Sequence, residues 1–426
     1  MKIKYFPAGF GILILSQAAL YAQNNADTTY VLPEVLKTGS GKVIQTTKQW
    51  EQERRPEILG LFKQHVYGKT PEQKLKLRFV TRNVSSNALH NKATRKEVRI
   101  FFSQDTSYYM DMLMYLPNKV KQPVPLFLGL NFGGNQVIDA DPGITISKRW
   151  ITYGEAPQYI NHFSTEHSRG SQRSDWPVEN ILDAGYGLAT VYYGDLQPDS
   201  ANSVNAGIAP LFYRQGQTQP ADNEWGAIGV WAWGLSRAMD YLQTDKAINS
   251  KQIALVGHSR LGKAALWAGA QDKRFAIVIS NNSGEGGAAI TRRKYGETIA
   301  IINKAFPHWF SANFKQFNNR ENSLPVDFHQ LIALIAPRPV YIASASEDQW
   351  ADPTGEYLSG FYATPAYALY GLQGLESPVP PAIDHPTGNG AIGYHLRQGE
   401  HAMTHYDWEQ YLHFADRFFR NNTLTK

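Results

Sequence analysis

The stretch Ala254–Ala270, ALVGHSRLGKAALWAGA, decides how the chain is read. It begins with the apolar residues of a strand, reaches Gly257-His258-Ser259-Arg260, and continues as an alanine-rich helical pattern. A serine on a sharp strand-to-helix turn between two glycines marks a hydrolase nucleophile, usually in the form G-x-S-x-G. Here Leu261 stands where the second glycine is expected, and Gly262 follows one place later. The alternative is an ordinary helix N-cap, a position that favours serine for its side chain alone. The flanks favour the nucleophile, because a strand directly before and a helix directly after are the context the motif requires.

Working outward, the runs VPLFLGLNFGG, GYGLATVYYGD, FAIVISNNSG and RPVYIASASED resemble IALVGHS: each is short and apolar and ends in a Gly-, Asn- or Asp-rich turn. Such runs read as strands buried on both faces, hence as a mostly parallel sheet. Helical patterns lie between them, notably IGVWAWGLSRAMDYLQ before the serine strand and GKAALWAGAQ after it. Alternating strand and helix predicts an α/β doubly wound architecture. Before Pro125 the segments LKLRFVTRN, KEVRIFFS and YYMDMLMYLP alternate in polarity and predict antiparallel strands, preceded by an amphipathic helix from about Trp50 to Val66. The regions 142–180, 285–330 and 352–395 read as long loops rich in Trp, Tyr, Asn and Gly, where a wide ligand cleft is expected.

The N-terminus carries Lys2 and Lys4, the apolar run FGILILSQAALY, and Ala22 before a polar segment. This is the pattern of an export signal over residues 1–22, with an apolar run too short for a membrane span. Residues 23–426 then form one catalytic domain, periplasmic or secreted. Losing the two lysines lowers the formal charge from +5 to +3, too small and too evenly spread for a nucleic-acid partner. The absence of cysteine excludes a disulfide framework, a thiolate metal site and lipid attachment at the cleavage point. No His pair has the spacing of ligands on one helix, so neither metal nor cofactor is expected. A monomer is expected.

A nucleophilic serine needs a base, and the base an acid, in the chain order Ser, acid, His. His401 lies in the Gly399-Glu400 turn just before the closing helix and is the choice for base; His405 and His413 fall at or inside that helix. The acid follows the strand RPVYIASASED, where Glu347 and Asp348 are adjacent and at most one can reach the base; Asp348 has the usual offset. The oxyanion donors are expected to be the N–H of Arg260 and a group from the turn GLNFGGN, with the Arg260 guanidinium able to lean over the same oxygen. Lys263, four residues after Ser259, shares its helical face and is placed to meet a hydroxyl or carbonyl of a polar substrate.

GHSRLGK, SEDQWADP, GEHAMTHYDW and WAWGLSRAMDYL together resemble the bacterial type of glucuronoyl esterase, which cleaves the ester between 4-O-methyl-glucuronic acid on xylan and lignin alcohols. The resemblance runs over most of the chain from about Pro125 and implies an α/β-hydrolase fold. In that family the elbow reads G-x-S-R-x-G-K, so the late glycine is the family's own form. The resemblance implies Ser259 as nucleophile, Arg260 at the oxyanion and His401 as base, with Lys263, Glu297 and Trp350 at the sugar. Fungal members carry their catalytic glutamate where Asn282 stands here, and an amide cannot supply that negative charge. Some bacterial members draw the acid from the later turn, which corresponds to Asp348, and Glu285 reads as a loop residue. Glucuronoxylan and lignin-carbohydrate esters are the implied partners. Acetyl- or feruloyl-xylan esterases would use the same triad but have little need of Lys263, Glu297 and Trp350. A non-catalytic sugar-binding protein on a hydrolase scaffold would need no triad.

Overall fold

The computed structural model describes residues 30–152 and 154–420. The signal segment 1–22 lies outside the described residues, among which no helix is long and apolar enough to cross a membrane.

Among the described residues nine strands form one sheet. They are β1 (Arg78–Asn87), β2 (Ala93–Phe101), β3 (Tyr109–Pro117), β4 (Val124–Asn131), β5 (Gly187–Tyr192), β6 (Ile248–His258), β7 (Ile277–Asn281), β8 (Val340–Ala345) and β9 (Ile392–Arg397). The spatial order is β1-β2-β3-β5-β4-β6-β7-β8-β9. β1 to β3 are antiparallel, and β3 joins β5 antiparallel; β5, β4 and β6 to β9 run parallel. The predicted antiparallel strands extend the main sheet and form its edge.

The apolar runs are two-faced, as their composition requires. In β4, Leu126, Leu128 and Leu130 enter one core while Phe127 enters the other; in β6, Ile253 and Leu255 oppose Ala254 and Val256. The helices that flank the sheet include α1 (Arg55–His65), α2 (Val178–Asp183), α3 (Ala227–Leu242), α4 (Arg260–Gln271), α5 (Pro353–Ala368) and α6 (His405–Phe419). Trp231, Leu266, Trp267 and Tyr367 fill the first core, from α3, α4 and α5. Ile181 and Leu182 of α2 and Trp408, Tyr411 and Phe414 of α6 fill the second. Helices cover both faces of the sheet, with the serine turn between β6 and α4: this is an α/β-hydrolase fold.

The region 352–395 departs from the expected loop. It contains all of α5 and the start of β9. α5 buries Tyr357, Leu358, Ala363 and Tyr367 and also Glu356 and Ser359, so it lacks the polar stripe that reveals a helix in a sequence. β9 hides because its buried positions include His395 and Arg397, polar residues satisfied only by a distant partner, Asp407. Short helices at Ile299–Ala305 and Phe328–Ala333 likewise interrupt 285–330.

Candidate active site

Ser259 sits at the end of β6 as the N-cap of α4 with φ 57° and ψ −130°, a conformation disfavoured for a residue with a side chain. Its N–H donates to the Asn281 carbonyl (2.8 Å), and its own carbonyl accepts from the N–H of Gly262 (2.9 Å) and Lys263 (3.2 Å). The glycine spacing follows from how closely α4 crosses β6. A Cβ on Gly257 would lie 2.1 Å from the Leu261 carbonyl oxygen, and one on Gly262 would lie 3.0 Å from the Gly257 oxygen and 3.0 Å from Ser283 Cβ. The side chain of Leu261 turns into the core. The tight contact thus falls at Gly262, and the intervening position tolerates leucine.

Asp348 and His401 meet: His401 Nδ1 donates to Asp348 Oδ2 at 2.6 Å. Asn282 Nδ2 donates to the same oxygen at 2.8 Å. Burial alone would raise the Asp348 carboxyl, but the hydrogen bond and charge of His401 and the Asn282 amide hold it below the ordinary value. Glu347 points elsewhere; it is exposed and accepts from Gln398 Nε2 at 2.5 Å. Asn282, an amide that carries no charge of its own, thus acts as a donor to Asp348. Glu285 is buried and accepts from Thr291 Oγ1 (2.8 Å), away from the histidine. His405 and His413 are exposed on α6.

The His401 loop is fastened from below. Arg397 Nη2 donates to the carbonyls of Glu400 (2.8 Å) and Ala402 (2.6 Å), on either side of His401. Arg397 Nε donates to the fully buried Asp407 (2.9 Å), which also accepts from the N–H (2.7 Å) and Oγ1 (2.8 Å) of Thr404 at the start of α6. His401 lies beside the serine turn: its ring centroid is 4.6 Å from that of His258, the residue before Ser259. His258 Nδ1 donates to Asn281 Oδ1 at 2.6 Å, and burial together with the nearby His401 pushes its pKa down to about 3. It is a neutral wall for His401. The side chain of His401 remains 43% exposed.

Arg260 is held by a cradle the sequence did not announce. Its Nη1 donates to Asp199 Oδ2, while His308 Nε2 and Trp309 Nε1 each donate to Asp199 Oδ1 at 2.7 Å. The guanidinium also lies 4.7 Å from the Trp309 ring centroid and 5.8 Å from that of Phe132, in the turn GLNFGGN. Burial opposes ionisation of Asp199, but the donors on it hold its carboxyl below the usual range. In the sequence Asp199 is one aspartate of a Pro-Asp-Ser loop, and His308 and Trp309 are more than 100 residues away; no spacing connects them.

Lys263 is buried, and its Nζ donates to the carbonyls of Ser283 (2.5 Å) and Glu285 (2.6 Å) and lies 3.9 Å from Glu297 Oε2. Burial lowers its ammonium pKa against the pull of Glu297. Burial raises the Glu297 carboxyl, offset by Lys263, a hydrogen bond from Trp350, Arg260 and His401. Glu297 N donates to the Trp350 carbonyl at 3.0 Å, and the Trp350 side chain is among the exposed large apolar groups. Seven residues singled out from sequence thus converge at the carboxyl ends of β6, β7 and β8. Among the described residues no group of three or more His, Asp or Glu is arranged to hold a metal ion.

A family model described as "Glucuronyl esterase, fungi" matches residues 180–371. A carbohydrate esterase from an unknown prokaryotic organism is 46% identical over 391 residues, covering 91% of this chain and 89% of that protein. The solved structure of a glucuronoyl esterase from Solibacter usitatus superposes with a TM-score of 0.87 at 49% identity, over 92% of this chain and 98% of that one. A carbohydrate esterase family 15 enzyme from a marine bacterial metagenome, described as promiscuous, gives 0.86 at 44% identity over 93% and 98%. With similarity extending over nine-tenths of its length, the chain belongs to the glucuronoyl esterases of carbohydrate esterase family 15 and is a carboxylic ester hydrolase.

Proposed function

We propose that this esterase cleaves the ester joining glucuronic acid or its 4-O-methyl derivative, carried on xylan, to lignin alcohols, through an acyl-enzyme on Ser259. The observation that carries this reading is the Asp348–His401 pair beside a serine held at an elbow. With Asp348 accepting the Nδ1 proton, Nε2 of His401 keeps its lone pair and acts as base. Ser259 Oγ attacks the uronate carbonyl while its proton passes to His401. The tetrahedral intermediate collapses, His401 gives the proton to the leaving alcohol oxygen, and water, deprotonated by the same histidine, releases the free uronic acid and restores Ser259. The negative oxygen formed in both steps is stabilised by the Arg260 N–H at the head of α4 and by its guanidinium, kept in place by Asp199.

Recognition falls to Lys263, Glu297 and Trp350. Lys263 commits two of its three protons to carbonyls, leaving one for a sugar hydroxyl. Glu297 accepts from another hydroxyl, and the exposed Trp350 ring offers an apolar face to the pyranose. Residues 23–426 act as one catalytic domain, a monomer exported to the periplasm or beyond, where its polymeric substrate is found.

The test compares benzyl glucuronate, 4-nitrophenyl acetate and a feruloyl ester with wild type and Ser259→Ala. The expected outcome is a strong preference for the glucuronate ester that Ser259→Ala abolishes. Preference for acetate or ferulate keeps the triad and removes the glucuronate assignment; no turnover of any ester removes both.

A further inference from the structure

Toward the antiparallel edge of the sheet that carries Ser259 lies a polar cavity which the reaction leaves unused. Its volume is about 260 Å³, and its walls include Arg82, Arg99, Tyr109, Lys148, Arg149 and Asp195. The antiparallel pairing of β3 with β5 (Met112 opposite Val191) and with β2 (Asp111 opposite Arg99) brings these groups to the carboxyl end of β5. β3 stands three strands from β6, a displacement of roughly 14 Å at the usual strand spacing. A short oligosaccharide spans that distance.

The carboxylates of this wall already have partners. Glu97 accepts from the N–H and Oγ1 of Thr145, both at 2.8 Å. Asp111 takes Arg99 Nε and Nη2 at 2.8 and 2.7 Å. Asp195 accepts from the Asp111 N–H (2.8 Å) and lies 3.6 Å from Arg149 Nε. Arg99 and Arg149 are both fixed over the Tyr109 ring, 3.7 and 4.1 Å from its centroid. Two cations remain: among the described residues Arg82 and Lys148 have no ion-pair partner. Arg82 is also the extra residue of a β-bulge, since Thr81 pairs with Val98 and Asn83 with Glu97. A bulge re-aims a side chain that regular pairing would direct elsewhere. Asp195 is pushed up to about 7 by burial and by Asp111, against the pull of Arg149 and Arg99, so near neutrality it opposes an incoming carboxylate less than an ordinary aspartate does.

We propose that this cavity is a second uronate subsite: Arg82 and Lys148 take the free carboxylate of another glucuronic acid side group on the polysaccharide whose esterified group is at Ser259. The proposal rests on the glucuronate-ester reading of the active site.

The experiment uses the full enzyme and three substrates: benzyl glucuronate, a xylo-oligosaccharide with one esterified glucuronate, and one that also carries a free glucuronate. In the Arg82→Ala/Lys148→Ala variant the KM for the two-uronate substrate is expected to rise about five- to tenfold, as for the loss of two charge-assisted contacts made by exposed side chains. The other two KM values and every kcat stay unchanged, and Arg82→Lys/Lys148→Arg restores most of the affinity. An unchanged KM for the two-uronate substrate, or an equal rise for the one-uronate substrate, overturns the subsite. Failure of wild type on benzyl glucuronate instead overturns the ester reading beneath it.

Discussion

At the scale of single residues, the mechanism proposed above gives two aspartates different tasks. Asp348 fixes His401, and its neighbour Glu347 faces solvent with Gln398 for a partner. Asp348→Asn should therefore lower kcat by about 10³- to 10⁴-fold, the scale set by losing a triad carboxylate. Glu347→Gln should leave kcat within about twofold. Steady-state kinetics on benzyl glucuronate separate the two, and equal losses would reverse the assignment. Asp199 acts at one remove, through Arg260. Asp199→Asn should cut kcat by about 10²-fold, the cost of losing one oxyanion donor, with little change in KM. Combining it with Arg260→Ala should cost no more than Arg260→Ala alone, because both remove one interaction. Additive losses would mean that Asp199 serves only the fold.

At the scale of elements, the serine and the histidine are held by different means. Ser259 depends on the close crossing of β6 and α4, where glycine alone fits at position 257. His401 depends on the strap between β9 and α6, in which Arg397 ties the loop carbonyls and Asp407 ties Arg397. Arg397→Met leaves Asp407 buried with less compensation and should reduce stability by about 3–5 kcal/mol, read by urea unfolding. It should also lower kcat at temperatures where the variant is fully folded, because His401 then wanders. Full activity in a destabilised variant would show that the strap supports the fold and not the base.

At the scale of the molecule, the fold contains imidazoles it cannot afford to charge. His329 is 1% exposed, donates through Nε2 to the Pro33 carbonyl (2.9 Å), and has Arg292 and Arg54 nearby. Burial, with those cations, pushes its pKa down to about 3, as burial and His401 do for His258. A depressed folded value means that stability is full above the unfolded pKa, near 6.5, and is lost as pH falls toward 3. The Tm should accordingly decline below about pH 6.5. His329→Gln should flatten that decline, measured by calorimetry at several pH values.

The fold class, the strands from VPLFLGLN to VYIASA, and the residues Ser259, His401 and Asp348 as candidates were legible in the sequence, because buried strands and elbows are patterns of neighbouring residues. α5 and β9 were not, since α5 has no polar stripe, burying Glu356 and Ser359 while exposing Tyr362 and Pro365, and β9 places His395 and Arg397 inside, against Asp407. Nor was the Asp199 cradle, whose four members come from two separate loops and one helix start. By itself the sequence determined which side chains could do chemistry and where along the chain the turns that expose them lie. Only the tertiary structure decided which acid meets His401, what holds Arg260 and where Arg82 and Lys148 come together, because those contacts join residues far apart in the chain, and only packing brings them within bonding distance.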